Sequence, residues 1–488
     1  MKKKIIYLSI VLLISYFLIR LFNQSQMIWT FPLDFTNDWA SYMAQLHFLK
    51  VCGFHNFCPY WYSGFITFQT AALGWKFFAL PLYLITKNVL SATFISLILL
   101  YALGFLFLYI LGKVQKLSLI EIIAFFLFFF ANPIAIGNFI RLGRIVSLFG
   151  FVLFLGFAAL IFKYKNCPLD KKFFLYMVPL YGLIFISHQQ EMILSSFLLL
   201  SLFLIKKNKE RIWIILSGLI SLLLASFWLV PFVINASKTN VLNYQQSNWL
   251  NWSLTPTNLA ATLVSLSVFF LFYFYWKGID KNKRELLFFS PILTLNLLFF
   301  LKVISFIPIL KHISPDPYIL FFLFFSILFL FKIKIRNLKW EKIIWTIVFL
   351  VVILSLVIST IKTPYFTKYT ELEREVVSIF PFIEGKYAMI WSPDVSSYPK
   401  AYFAYGAIYY NLSSIHGWYD QLASSDYLKK LENLYGSYYE KECGDFIRIL
   451  KDFKTEEVVF YGYDCGKVNT CGLKEKVSKN KVCLYKLT

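Results

Sequence analysis

Asp34 and Asp38, in Pro32-Leu33-Asp34-Phe35-Thr36-Asn37-Asp38-Trp39, are the pair of acids in this chain best spaced for chemistry. In a helical segment a D-x-x-x-D spacing stacks both carboxylates on one face. Such a pair can take a proton from a hydroxyl, or hold a divalent cation such as Mg or Mn. It equally suits a helix N-cap at Asp34 or Asp38 in a surface loop. His188 and Glu191, three apart, also share a helix face. They can add metal ligands or a proton shuttle to the carboxylate pair, or simply form the polar turn of a helical hairpin. Cations gather in two other loops: Arg141 and Arg144, then Lys302, Lys311 and His312 beside Ser314-Pro315-Asp316-Pro317. Arginine forks and mobile lysines suit a phosphate or pyrophosphate, although lysines also snorkel to lipid headgroups. Trp61 and Tyr62, within Cys58-Pro59-Tyr60-Trp61-Tyr62-Ser63-Gly64-Phe65, suit either an interfacial belt or a platform for a sugar ring or isoprenoid chain.

The elements that must position these groups are membrane helices. Of 488 residues 59% are hydrophobic and 20% aromatic, which a soluble globular chain does not need. Apolar runs occur at about 4–22, 89–112, 118–136, 145–163, 172–187, 189–206, 211–235, 257–277, 285–301, 318–333 and 342–362, predicting about eleven transmembrane helices. The stretch 67–87 is apolar too, but Gly74 and Pro81 interrupt it, so it is expected to be juxtamembrane or re-entrant. The first run follows Lys2–Lys4, is too long for a signal-peptide core and lacks a cleavage site, so it reads as a retained helix.

The formal charge of +22 would suggest nucleic acid if it were clustered on a soluble face. It is not: from Lys362 onward 17 basic residues meet 16 acidic ones, and the excess lies in the membrane half. There the loops of one side carry 22 Lys and Arg, and those of the other side eight. The positive-inside rule puts the N-terminus in the cytoplasm and the tail outside, in a multi-pass protein of the cell membrane. Six of seven cysteines (Cys52, Cys58, Cys443, Cys465, Cys471 and Cys483) fall on the same outer side, where disulfides persist. Cys52 and Cys58 can pair, and the four tail cysteines allow three connectivities.

Ten carboxylates precede Lys362, and six of them sit on the basic inner side, leaving Asp34, Asp38, Glu191 and Asp316 outside. Acids this close to a membrane are costly and usually functional. The chain thus divides into a membrane domain, 1–362, with a long first outer loop at 23–88, and an extracytoplasmic domain, 363–488. In the tail, helices are expected at Glu371–Phe380, Asp426–Tyr435 and Cys443–Phe453, and strands at Tyr387–Trp391, Glu457–Tyr461 and Val482–Tyr485, an α/β or α+β mix.

The order of these motifs resembles the GT-C superfamily of polyprenyl-phosphate-dependent glycosyltransferases. The residues that carry the likeness are the D-x-x-x-D after the first helix, Pro59-Tyr60-Trp61-Tyr62-x-Gly64, Gly143-Arg144-x-x-Ser147 and Ser187-His188, before an extracytoplasmic tail. The chain is most similar to the branch called 6-pyruvoyl-tetrahydropterin-synthase-related membrane proteins, although no pterin-enzyme zinc histidines are present. The resemblance implies a glycosyltransferase moving a sugar from a polyprenyl-phosphate donor to a glycan, lipid or protein acceptor. It implies Asp34 as catalytic acid group with Asp38 beside it, where that branch often has His, and Arg144 and His188 lining the same cavity. A lipid or polysaccharide flippase and a non-catalytic membrane scaffold are the alternatives. A flippase needs polar residues at mid-depth in its helices, whereas here they concentrate at the outer rim.

Overall fold

The computed structural model describes residues 2–34, 37–66, 72–236, 255–333, 338–395 and 399–488. The membrane half is helical: α1 (Lys2–Gln24), α2 (Trp39–Cys52), α3 (Gly74–Thr86), α4 (Val89–Val114), α5 (Leu119–Phe130) and α6 (Pro133–Ala135), which runs on into a π-helical Ile136–Arg141. After these come α7 (Ile145–Tyr164), α8 (Lys171–Ser187), α9 (Gln189–Ile205), α10 (Asn208–Ala236), α11 (Pro256–Gly278), α12 (Lys283–Phe300), α13 (Pro315–Lys332) and α14 (Leu338–Lys362). The apolar runs thus fall in helices to within a residue, except 118–136, which breaks at Ala131 and Asn132 between α5 and α6. Among the described residues seven helices are long and apolar enough to cross a membrane, or eight if α5 and the 133–141 segment, bent by 52°, form one span. The expected eleven therefore exceeds what length and composition support; α8, α9 and α12 account for the difference. The 67–87 stretch becomes α3 from Gly74 onward, with Pro81 inside it, and residues 67–71 lie outside the described set.

Burial sorts the helices. Helix α7 is apolar all round and almost wholly buried, whereas α14 is mostly exposed. A helix apolar on every face is stable only when neighbours or lipid cover every face. Here α7 is the central post, packed by α4, α8 and α9, while α14 leaves most of its apolar surface exposed. Phenylalanines fill the core between α5, α7 and α13; Phe154 meets Phe321 and Phe324 at ring-centroid distances of 5.4 and 5.1 Å.

The C-terminal domain is α+β. Its elements are α15 (Glu371–Ile379), β1 (Tyr387–Trp391), α16 (Lys400–Tyr410), α17 (Ser425–Tyr439), α18 (Cys443–Asp452), β2 (Glu457–Tyr461), β3 (Lys474–Lys479) and β4 (Val482–Lys486). The strands lie in the order β1-β2-β4-β3, with β1 parallel to β2 and the other pairs antiparallel. Strand β2 is buried along its whole length, as a central strand covered on both faces must be. A capping box at Thr370 and Glu373 starts α15. Disulfides join Cys443 to Cys471 and Cys465 to Cys483 in this domain, and Cys52 to Cys58 in the first long loop.

That loop is where the two halves meet. Cys58 and Phe65 exchange backbone hydrogen bonds across the turn between them, and Ser63 N–H donates to Ser414 O at 3.1 Å. Ser414 in turn donates to Tyr60 O through its N–H (2.8 Å) and its hydroxyl (3.0 Å). Tyr60 bonds Asn411, and the Ser63 and Tyr427 hydroxyls lie 3.0 Å apart. Gly417 packs so closely here that a β-carbon would stand 2.6 Å from the Tyr62 ring.

Candidate functional site

A cavity of about 580 Å³ opens at this junction, within the range of small-molecule sites. The membrane half contributes Asp38 and Tyr42 from the start of α2, Asn138, Arg144 and Ser147 around the start of α7, His188 and Gln190, and Ser314 and Asp316 at the start of α13. The C-terminal domain contributes Lys400, Trp418, Tyr419 and Asp420.

Asp38 occupies the N-cap position of α2, yet among the described residues its carboxylate makes no capping bond. Asn37 does that work, its side-chain oxygen accepting from Trp39 N–H at 3.1 Å. The Asp38 side chain is thereby released into the cavity. Its main chain is fixed by an N–H bond to Leu142 O at 2.6 Å, and the neighbouring Trp39 indole donates to Ile140 O at 3.0 Å. The π-helical turn and Gly143, which has a left-handed φ of +71°, bring that backbone up to the Trp39 ring. One Asp38 oxygen accepts from the Trp418 indole N–H at 3.3 Å. Burial pushes the Asp38 carboxyl above its ordinary 3.8, against the opposing pull of Arg144, the Trp418 bond and Lys400.

Arg144 stands opposite. Its guanidinium donates to Asn138 at 2.7 Å and to Asp316 at 2.8 Å, and its charge is felt at Asp38. Behind His188 the buried Glu191 pairs with the imidazole Nδ1 and accepts from the Ser147 hydroxyl at 2.5 Å. That pairing orients the His188 ring at the cavity wall.

The other expected site residues are placed elsewhere. Asp34 pairs with Arg141, and neither lines the cavity. Lys302 is nearly buried beside the Phe299 ring, and Lys311 and His312 also lie outside the lining, although the His312 carbonyl accepts from Gln190 at 3.4 Å. Trp61 and Tyr62 are buried at the domain junction, where the Tyr62 hydroxyl donates to Asp420 at 3.1 Å. Asp38 and His188 meet at the cavity with Glu191 behind the His188 ring, whereas Asp34 stands apart, and among the described residues no group of three His, Cys, Asp or Glu side chains is placed to hold a metal ion. Lys400, Trp418, Tyr419 and Asp420 went unremarked in the sequence. The aromatic-aromatic-acid run Trp418-Tyr419-Asp420 was their signal, and nothing local tells such a run from a fold-stabilising one.

No protein-family model matches the chain, and no curated protein matches it in sequence. Solved structures share its fold. One is the arabinofuranosyltransferase AftD from Mycobacteria, at TM-score 0.59 and 11% identity, over 97% of this chain and 40% of that one. Another is the oligosaccharyltransferase of Archaeoglobus fulgidus in its apo form, at TM-score 0.57 and 10% identity, over 92% of this chain and 69% of that one. This chain thus spans about two fifths of the length of the arabinofuranosyltransferase. At such identities the likeness is one of fold.

Proposed function

We propose that this protein is an integral membrane glycosyltransferase that moves a sugar from a polyprenyl-phosphate donor to a hydroxyl-bearing acceptor, with Asp38 as general base. The observation that carries this reading is the cavity in which a partly buried carboxylate with a raised pKa stands across from an arginine. In the reaction the Asp38 carboxylate takes the proton of the acceptor hydroxyl. The oxygen's electron pair forms the new bond to the anomeric carbon, and the bond to the phosphate oxygen breaks with its electrons staying on the phosphate. Arg144 compensates the charge of the departing polyprenyl phosphate, with the His188 ring beside it. For that to happen the phosphate must compete with Asp316 for the guanidinium.

Asp34 keeps a supporting part: its pairing with Arg141 anchors the turn whose carbonyls hold Trp39 and Asp38. We place the cavity outside the cytoplasm. The basic residues gather at the other end, the three disulfides sit at this end, and the free Cys167 is at the basic end. Counting α8, α9 and α12 as further spans gives eleven crossings, an odd number that agrees with this orientation. The short motifs keep the pterin-synthase-related branch as the chain's affiliation within the fold.

The test uses membranes containing the full chain and synthetic decaprenyl-phosphoryl mannose, glucose and arabinofuranose, each radiolabelled. Asp38→Asn is expected to abolish transfer to lipid and protein fractions, while Asp34→Asn lowers it through stability. Normal transfer by a folded Asp38→Asn protein sinks the proposal.

A further inference from the structure

We infer that Trp418, delivered by the C-terminal domain, is the positioning residue that aims the Asp38 carboxylate at the acceptor hydroxyl. The inference rests on the reading of Asp38 as base and adds a second domain to the site. A carboxylate has two oxygens that can rotate about its terminal torsion, and a base is effective only when one of them points at the proton it removes. Freed from capping, the Asp38 carboxylate has the Trp418 indole N–H as its hydrogen-bond donor, at 3.3 Å to one oxygen. Indole nitrogen is a donor only. It therefore fixes that oxygen without offering a competing base, and leaves the other oxygen for substrate.

Trp418 is itself held rigidly. Its ring is 5% exposed, and Gly417 before it is wedged against Trp61 and Tyr62. The Tyr427 hydroxyl donates to Ile415 O at 2.7 Å, and Ser414 is hydrogen-bonded to Tyr60 on the membrane half. The other groups facing Asp38 are Arg144 at the start of α7, Lys400 on α16, Tyr42 on α2 and Tyr419 beside Trp418. Of these, the arginine is committed to Asp316 and Asn138, and Tyr42 and Tyr419 bond each other. The indole bond opposes the rise that burial imposes on the carboxyl.

Trp418→Phe keeps the ring and removes the donor. The full chain, reconstituted in nanodiscs, is treated with dicyclohexylcarbodiimide, which labels protonated carboxyls. Labelling at Asp38 is followed by mass spectrometry across a pH series. Losing the donor is expected to move the midpoint of Asp38 labelling to higher pH. It is also expected to lower turnover of the decaprenyl-phosphoryl sugars roughly 10- to 100-fold with KM unchanged, as misorientation of a reacting group does. Trp418→Leu, which also lacks a donor, carries the same test should the Phe protein fail to accumulate.

Tyr427→Phe weakens the loop without touching the indole, and is expected to lower thermal stability while leaving the labelling midpoint in place. An unmoved midpoint in both Trp418 variants overturns the inference. So does an equal shift in Tyr427→Phe, which would make Trp418 merely structural. The labelling arm needs no substrate, so it stands even if Asp38→Asn retains activity and the base reading falls.

Discussion

Gly143 offers a test of how Asp38 is held in place. A β-carbon there would lie 2.6 Å from three atoms of the Trp39 ring, and the residue sits at φ +71°. Gly143→Ala combines a left-handed backbone cost of about 1–2 kcal/mol with an overpacking cost of about 1–3 kcal/mol. Together these come to about 2–5 kcal/mol against the folded state. Trp39 is fully packed and the other side of the contact is backbone, so neither yields cheaply. Relief must come from moving residues 142–143 or the indole, and both hold Asp38. A shift of about 1 Å at a reacting group costs ~100-fold in rate. Gly137, in the same π-helical segment, is the control: a β-carbon there meets nothing within 4 Å. Gly137→Ala should gain about 0.5–1 kcal/mol from reduced backbone entropy. Heating the solubilised proteins before fluorescence-detected size exclusion reads stability, and decaprenyl-phosphoryl sugar transfer reads the site. We expect a lower melting point and ~100-fold slower transfer for Gly143→Ala, and neither for Gly137→Ala. Equal behaviour of the two variants refutes the account of how the turn holds Asp38.

Asp38→Asn should raise the melting point at pH 7 even as it removes activity. The folded-state value is raised, so the protonated carboxyl is the form the fold favours, and its contribution is lost as pH rises through that value. The gain from Asn should therefore vanish when melting is repeated below pH 3.8, the ordinary value. Trp61→Ala removes a buried ring that packs on Phe48 and should cost about 3–5 kcal/mol. Tyr62→Phe loses the bond to Asp420 and should cost about 0.5–1.5 kcal/mol. Limited proteolysis between the bundle and the tail checks the order, and a Tyr62 variant as fragile as the Trp61 one contradicts it. Replacing Cys52 and Cys58 by Ser should cost ~2 kcal/mol for so short a closed loop, seen as a lower melting point without loss of the two tail disulfides.

The bundle was legible because lipid imposes a long-range rule on composition. Long apolar runs such as 145–163 leave few alternatives to helix, and α7 appears within a residue of its expected ends. The tail's strands at 387–391 and 457–461 were legible from β-branched and aromatic runs, but α16 and β3 were not. Lys400–Tyr410 is nearly uniform in hydrophobicity around its axis, and Lys474–Lys479 is charged and exposed, so neither shows a period. At the site, the scarcity of acids singled out Asp34 and Asp38 together. Which one turns inward is decided by Asn37 taking over the cap and by Leu142 arriving from a hundred residues away, contacts to which local spacing is blind. Trp61 and Tyr62, whose motif suits either an interfacial belt or a platform for a sugar ring or isoprenoid chain, are buried where the tail meets the first long loop, a contact that local sequence does not show.

The contacts around α2 close on themselves. From Asp38 the helix leads to Cys52, the disulfide to Cys58, the turn to Ser414 and Gly417, and Trp418 back to Asp38. Three stretches far apart in the gene are thus links of one chain, and none can be exchanged alone. A tail grafted from a relative would dock only if residues 52–65 came with it, and would aim the carboxylate only if 38 and 142–143 came as well. The contacts that hold Asp38 thus form a circuit that passes from the helical half into the tail and back.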